Sequence, residues 1–383
     1  MANAQVKSKS APTLALFIPE LLVGGSEYQF LELARGMSRA GWRVLIVTYG
    51  RTSGPAITRA TEGLEVRVIP KGGSPVAFLR RIRDTLVSEN VDVLHACLNS
   101  AQAYAMLLRL SGWRGRLIFG VGDSLPIFYH KDVKNLVCDV LLYSGVFEPD
   151  YYVFNSHRAM RIKSARLSPQ RLRVVHNLTD VTRFRPRPES RELLRRELGL
   201  PLDTEIAGMV ANVSEYKDYP MAVRAAQRVH AVRPDTHFVA IGNSSNPLGE
   251  EVKQLARELG LAEHFHFLGT RADVDMLVPG FDILFSSSVT EGASNVICEA
   301  MACAVPCVVT DVGDSAHTVG DTGTVIPPRD DARLARALLD LLNAGPEERA
   351  RIGGRARQRM AETFSMEKAI SDYIALYTGS ESA

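Results

Sequence analysis

The 383-residue chain has no apolar run of the ~18–20 residues that a bilayer-spanning helix requires. Its polar start, 1–12, carries two lysines and leads into no signal-peptide core, because the apolar run 14–18 stops at Pro19. A disordered tail over 1–12 and a cytoplasmic location are therefore expected. Charge of one sign is lacking too. Lys+Arg number 45 against 43 Asp+Glu, and the net charge of +2 gives no electrostatic reason to expect nucleic acid as a partner. Cysteine is scarce, five in all, and each lies in an apolar context. Cys303 and Cys307 are spaced loosely like metal ligands, but no second Cys or His pair answers them, so buried thiols in a reducing compartment are the reading. Nor does a Gly-x-Gly-x-x-Gly follow the first strand run with an acid ending the second, which speaks against a nicotinamide dehydrogenase.

What is present is alternation. The length suits two domains. Strand-like runs at 14–18, 44–49, 64–69, 91–96, 117–121, 151–154 and 173–175 are interleaved with helical stretches, among them one to about Ala40 and others at 75–89, 100–111, 131–143 and 156–167. A second series has strands at 206–210, 238–241, 265–268, 283–286, 308–310 and 324–326, with helices at 219–232, 248–259, 273–278, 331–343 and 346–363. Buried strands alternating with helices predict α/β architecture: two doubly wound, Rossmann-like domains with parallel sheets, covered on both faces. Around 177–186 the pattern breaks, and the prolines, arginines and Pro-Glu-Ser there read as a linker. The domains are placed at 13–180 and 181–363, with a last helical segment at 364–383.

The second series turns on 285–311. A buried strand ends in small polar residues, then Glu291 and a turn at Gly292. Ser294 or Asn295 can N-cap a helix through Ala302, and Pro306 precedes the next strand. Glu291 thus lies on a strand-end loop and Glu299 inside the following helix, with helix-leading amides between them. That is an anion site, best suited to phosphate, flanked by two carboxylates suited to neutral hydroxyls. A nucleotide-sugar offers ribose hydroxyls, a diphosphate and sugar hydroxyls together.

Glu291 and Glu299, separated by seven residues in a Thr-Glu-Gly…Asn-Val…Glu-Ala-Met-Ala…Pro setting, resemble the Glu-x7-Glu motif of the retaining glycosyltransferases of group 1, family 4, which have the GT-B fold. The resemblance implies two domains facing a cleft, with the final helix returning to the first domain. It implies that Glu291 faces the donor sugar and Glu299 holds the ribose. Gly292, Ala293, Ser294, Asn295 and Val296 would lie at the diphosphate or sugar. Gly24 and Gly25 resemble the family's Gly-Gly-x-Glu loop near the donor phosphates, and Gly242 its nucleotide-side glycine turn. Lys217 stands at the diphosphate-binding Lys position, whereas Asn212 stands where Arg is usual; Arg271 is a substitute cation to consider. On the acceptor side His95, Asn99 and Asp123 end or follow first-domain strands. His95 reads equally as a core imidazole, and the family's strand-end His is replaced by Gly122.

The function so implied is transfer of a sugar from a UDP- or GDP-linked donor to a hydroxyl of a sugar, glycolipid or small molecule, with retained configuration, in cell-envelope polysaccharide or glycoconjugate synthesis. With no dedicated nucleophile identifiable, the family's front-face route applies. No cofactor and no metal are expected: Asp273-Val-Asp275 reads as a helix start rather than a metal motif. The basic stretches at 157–173 and at Arg80, Arg81 and Arg83 read as solvated faces, with peripheral membrane contact as the second reading. The rival function is a catalytically weak nucleotide-sugar binder of the same fold.

Overall fold

The computed structural model describes residues 11–21, 25–50, 52, 55–122 and 133–380. It divides into two compact units. The first comprises Met1–Asn155, Ala159–Leu178 and Ala369–Ala383, and the second Ser156–Arg158 and Thr179–Lys368.

The first unit contains β1 (Thr13–Phe17), β2 (Arg43–Thr48), β3 (Glu65–Val68), β4 (Val93–Cys97), β5 (Arg116–Val121), β6 (Tyr151–Phe154) and β7 (Leu172–Val174). They form one parallel sheet in the order β3-β2-β1-β4-β5-β6-β7. The second unit contains β8 (Ile206–Val210), β9 (His237–Ile241), β10 (Phe265–Phe267), β11 (Ile283–Phe285), β12 (Cys307–Thr310) and β13 (Gly323–Ile326), parallel in the order β10-β9-β8-β11-β12-β13. Every residue of β1 and of β12 is buried, as strands covered on both faces require. In the second unit alternate residues feed two cores. Ala207, Phe238 and Val308 pack in one, and Ile206, Val239 and Val309 in the other. The α/β, doubly wound reading of both halves therefore holds.

Three expectations give way. The stretch after Pro186 is not a continuous linker, because Pro188–Leu198 is a helix. Pro188 sits in its first turn, where no amide partner is lost, and Gly199 terminates it at φ 68°. Helices Pro55–Ala60 and Ser315–Val319 lie where none was expected; both are too short to show a helical repeat. The basic stretch at 157–173 is not simply a solvated face. Lys163 is buried with its ammonium 5.2 Å from the Tyr143 ring centroid, and the Arg173 guanidinium lies 4.9 Å from that of Tyr151. Residues 1–10 of the expected tail lie outside the described residues.

Candidate active site

In both sheets the strand order reverses once, between β1 and β4 in the first and between β8 and β11 in the second. Ligands of doubly wound sheets collect at the carboxyl ends of the strands beside such a reversal. In the second unit the loop after β8 carries Lys217 and the loop after β11 carries Glu291.

The two loops are tied together. Lys217 leaves a single 3-10 turn, Glu215–Lys217, and Asp218 then caps the helix Tyr219–His230, accepting the Met221 amide at 3.2 Å. Lys217 Nζ donates to Glu291 Oε1, forming an ion pair. The same carboxylate oxygen accepts the Ser288 hydroxyl at 2.7 Å. Ser287 donates its hydroxyl to the Lys217 carbonyl at 2.7 Å, and the Val289 amide donates to the Tyr216 carbonyl at 2.8 Å. Thr310, at the end of β12, holds the Ser288 carbonyl at 2.7 Å. A small recess opens among Lys217, Ser286, Ser288, Glu291, Ser294 and Val296.

Gly292 precedes the helix Asn295–Ala302. Ser294 takes the N-cap position, yet its hydroxyl makes no cap bond, and the first turn contains no acid. The first turn of this helix therefore adds no acid of its own at the positive end of the dipole. The Gly292 carbonyl accepts the Asp314 amide at 3.0 Å. Gly313 has to be glycine here: its φ is 58°, and a Cβ would lie 2.3 Å from the Gly292 oxygen.

Glu299 follows on this helix, half-buried. Burial pushes its carboxyl up to about 7; Asp275 adds to the rise, while Arg183 opposes it. Among the described residues no hydrogen-bond donor reaches this carboxylate. An acid desolvated in this way and left without donors is suited to accept hydroxyls from a ligand.

The remaining candidates fall into different settings. Asn212 Oδ1 accepts the Asn243 amide at 2.8 Å, so this asparagine braces the loop after β8 against the loop after β9. Gly242, at φ 143°, permits that approach, since a Cβ would lie 2.1 Å from the Ala211 oxygen. Arg271 is not a substitute cation for a ligand, because its guanidinium is occupied by Glu197 and by Asp273 at 2.7 Å. Asp273 N-caps the helix Val274–Leu277, and Asp275 pairs with Arg183 at 3.1 Å and Arg187 at 3.7 Å.

In the first unit His95 is withdrawn from any acceptor role. It is buried in β4, its Nδ1 shares a hydrogen bond of 2.6 Å with the Tyr377 hydroxyl, and desolvation pushes its pKa down to about 3. Gly120 makes room for this ring, since a Cβ there would stand 2.6 Å from His95 Nε2. Asn99 opens the helix Asn99–Leu110, and its amide donates to the buried Asp139 carboxylate. Gly25 opens the helix Gly25–Arg39. Gly24 and Asp123 lie outside the described residues. The bracing serines 286–288 and Arg183 were missed by sequence reasoning; the serine run at a strand's carboxyl end was the available signal.

Comparison with known proteins bears on the family and the fold. The family model described as glycosyl transferases group 1 matches residues 190–359, and that described as Glycosyltransferase Family 4 matches 23–183. The chain belongs to the group 1 glycosyltransferases. It is similar to the D-inositol 3-phosphate glycosyltransferase of Mycobacterium tuberculosis (strain ATCC 25618 / H37Rv), with 27% identity over 381 residues, 92% of this chain and 78% of that protein. Its fold matches that of Anabaena Alr3699/HepE in complex with UDP at a TM-score of 0.83 and 21% identity, covering 96% of this chain and 100% of that one. A glycosyltransferase from Rickettsia africae ESF-5 matches at a TM-score of 0.81 and 18% identity, covering 96% and 98%. The fold is that of the GT-B glycosyltransferases.

Proposed function

We propose that this glycosyltransferase uses a nucleoside diphosphate sugar, with uridine or guanosine as base, and transfers the sugar to an acceptor hydroxyl with retention and without a metal. The single observation that carries the reading is the pairing of Lys217 with Glu291 at the strand-order reversal, just ahead of the helix that bears Glu299. Anabaena HepE, solved with UDP and with UDP-glucose, has the same fold.

In this reading the Glu299 carboxylate accepts the ribose hydroxyls and Glu291 accepts hydroxyls of the donor sugar. The diphosphate draws on the Lys217 ammonium and on the leading amides of Asn295–Ala302. As the C1–O bond to the diphosphate breaks, negative charge gathers on the leaving oxygen, and a preorganised donor at that charge is worth ~3–4 kcal/mol. The leaving oxygen takes the acceptor's proton, and the acceptor oxygen bonds to C1 from the face just vacated. Lys217 and the helix end supply the countercharge that a divalent ion would otherwise bring.

The test has two parts. A thermal-shift screen of nucleoside diphosphates and their sugars should show selective stabilisation by UDP or GDP derivatives. Proton NMR of the product formed with the selected donor should then show the donor's anomeric configuration, with turnover insensitive to EDTA. An inverted product, or activity lost to EDTA and restored by manganese, overturns the mechanism. Binding without nucleotide release in any acceptor mixture favours the weak-binder reading instead.

A further inference from the structure

The first unit has a cation that the donor reading leaves unused. Lys71 follows β3 at the carboxyl edge of the sheet and is exposed. Its ammonium sits 4.6 Å from the centroid of the Tyr49 ring and 5.9 Å from that of Tyr104. The two rings meet edge to face at 5.6 Å and both pack in the same manner on Phe78, so they form a fixed platform. Tyr49 is buried and shares a hydrogen bond of 2.9 Å with Ser100. Rings attract a cation but do not neutralise it. Among the described residues no carboxylate pairs with Lys71.

Two neighbours add to the excess of positive charge. Arg81 donates to the carbonyls of Pro70, at 2.8 Å, and Gly72, which pins the Lys71 segment; among the described residues no acid pairs with it. The helix Pro75–Ser88 begins four residues beyond Lys71 with no acid in its first turn. A separate observation concerns the end of β4, where Leu98 has φ 67° and ψ 142°, a conformation close to one reserved for glycine, and is 41% exposed. Strain of that kind concentrates where a ligand is handled. Leu98 adjoins the helix Asn99–Leu110, which carries Ser100 and Tyr104.

We infer that the carboxyl edge of the first sheet holds an anion-recognition subsite centred on Lys71, which selects acceptors bearing a phosphate or carboxylate group. The inference rests on the transferase reading above, which assigns the donor to the second unit and leaves this edge to the acceptor. Lys71 meets the anion as a point charge; Tyr49 and Tyr104 hold its ammonium in place, and the half-buried Tyr104 offers an apolar surface to the ring of a sugar or cyclitol. The edge position accords with where ligands of parallel sheets bind.

The experiment measures binding before turnover. Isothermal titration of the full chain with hexose 6-phosphates, inositol monophosphates, hexuronates and their neutral counterparts should show binding of an anionic member at least tenfold tighter than its neutral partner. Lys71→Gln should abolish that preference, Lys71→Arg should restore part of it, and UDP or GDP binding should stay unchanged in both. In turnover, Lys71→Gln should raise KM for the anionic acceptor tenfold or more, with kcat changed less. Phosphorylated and carboxylated arms of the panel tell the two anion types apart. Equal affinity for charged and neutral acceptors, or a preference that survives Lys71→Gln, overturns the subsite. Failure of every nucleotide to bind or react defeats the transferase reading instead, and the anion titration still reports on Lys71.

Discussion

Lys217 and Glu291, separated by 74 positions in the chain, form an ion pair in which the protein's own carboxylate occupies the ammonium that the proposed reading assigns to a diphosphate. Donor binding must therefore exchange one anion for another at the same ammonium. Glu291→Gln should tighten binding of the bare nucleoside diphosphate, because it frees Lys217 and removes a repelling charge, while lowering sugar transfer. Lys217→Met should lower kcat by about a hundredfold or more, in line with a lost donor at a leaving diphosphate. Calorimetry with UDP and GDP beside steady-state kinetics checks both; weaker UDP or GDP binding by the glutamine variant would contradict the exchange.

Glu299 gives the site a pH dependence. Burial raises its carboxyl to about 7, so near neutrality part of the unliganded protein carries it protonated. On the proposed reading ribose hydroxyls donate to the ionised form, so binding lowers the pKa and releases a proton. Nucleotide affinity should rise from pH 6 to pH 8 and fall below, and proton release should be visible as a buffer-dependent binding enthalpy. Glu299→Gln should weaken binding and flatten that profile. A profile that stays as steep in the glutamine variant assigns the titration elsewhere.

Arg195 tests the scaffold under the site. It is fully buried and donates to the carbonyls of Thr204 and Gly280, each at 2.8 Å, and to Asp282 at 2.6 Å. Asp282 also holds Arg191 at 2.6 Å and the Ile206 amide, at the start of β8, at 2.8 Å. Arg195→Ala leaves a buried acid short of its partner and should cost about 3–5 kcal/mol in the unfolding of the second unit. Arg196→Ala, one position on, loses only an exposed pair with Glu192 and should cost less than about 1 kcal/mol. Denaturant titration of the two variants gives the contrast.

Four histidines pack at the edge of the second sheet. His237 Nδ1 and His266 Nε2 are 2.9 Å apart, and the His264 ring lies 4.7 Å from His237 and 4.1 Å from His230. Burial first, and the neighbouring imidazoles next, push His237 down to about 4 and lower His264 and His266; Asp235 and Glu263 oppose the shifts. A depressed folded pKa means that the unfolded chain takes up protons first as pH falls. Stability should hold above about pH 6.5 and decline toward pH 4, by up to about 1.4 kcal/mol per pH unit for each such proton. His237→Phe should flatten the melting temperature against pH over that range. An unaltered slope would remove the stack from the account.

The candidate site was legible to unequal depth. Glu291, Gly292 and Glu299 could be read because a strand end, a turn and a helix start occupy one short segment, where spacing fixes which residues share a loop. His95 could not, since a strand-end imidazole looks alike whether it meets solvent or, as here, the Tyr377 hydroxyl. Arg271 looked available until Glu197 and Asp273 were seen on it. Pro188 was taken for a linker residue because proline both breaks chains and starts helices, and only the register of the residues after it, with Leu194 and Arg195 buried, decides between the two.

By itself the sequence determined the α/β class, the two sheets and the paired acids ahead of and within one helix. Each is written in local periodicity and spacing, which the backbone's own geometry enforces. The tertiary structure alone decided that Lys217 meets Glu291, that Glu299 is left without a donor among the described residues, and that Lys71 rests on Tyr49 and Tyr104. Those are meetings between side chains on different strand-end loops and helices, and no repeat along a single chain records which of them the winding of a sheet will bring into contact.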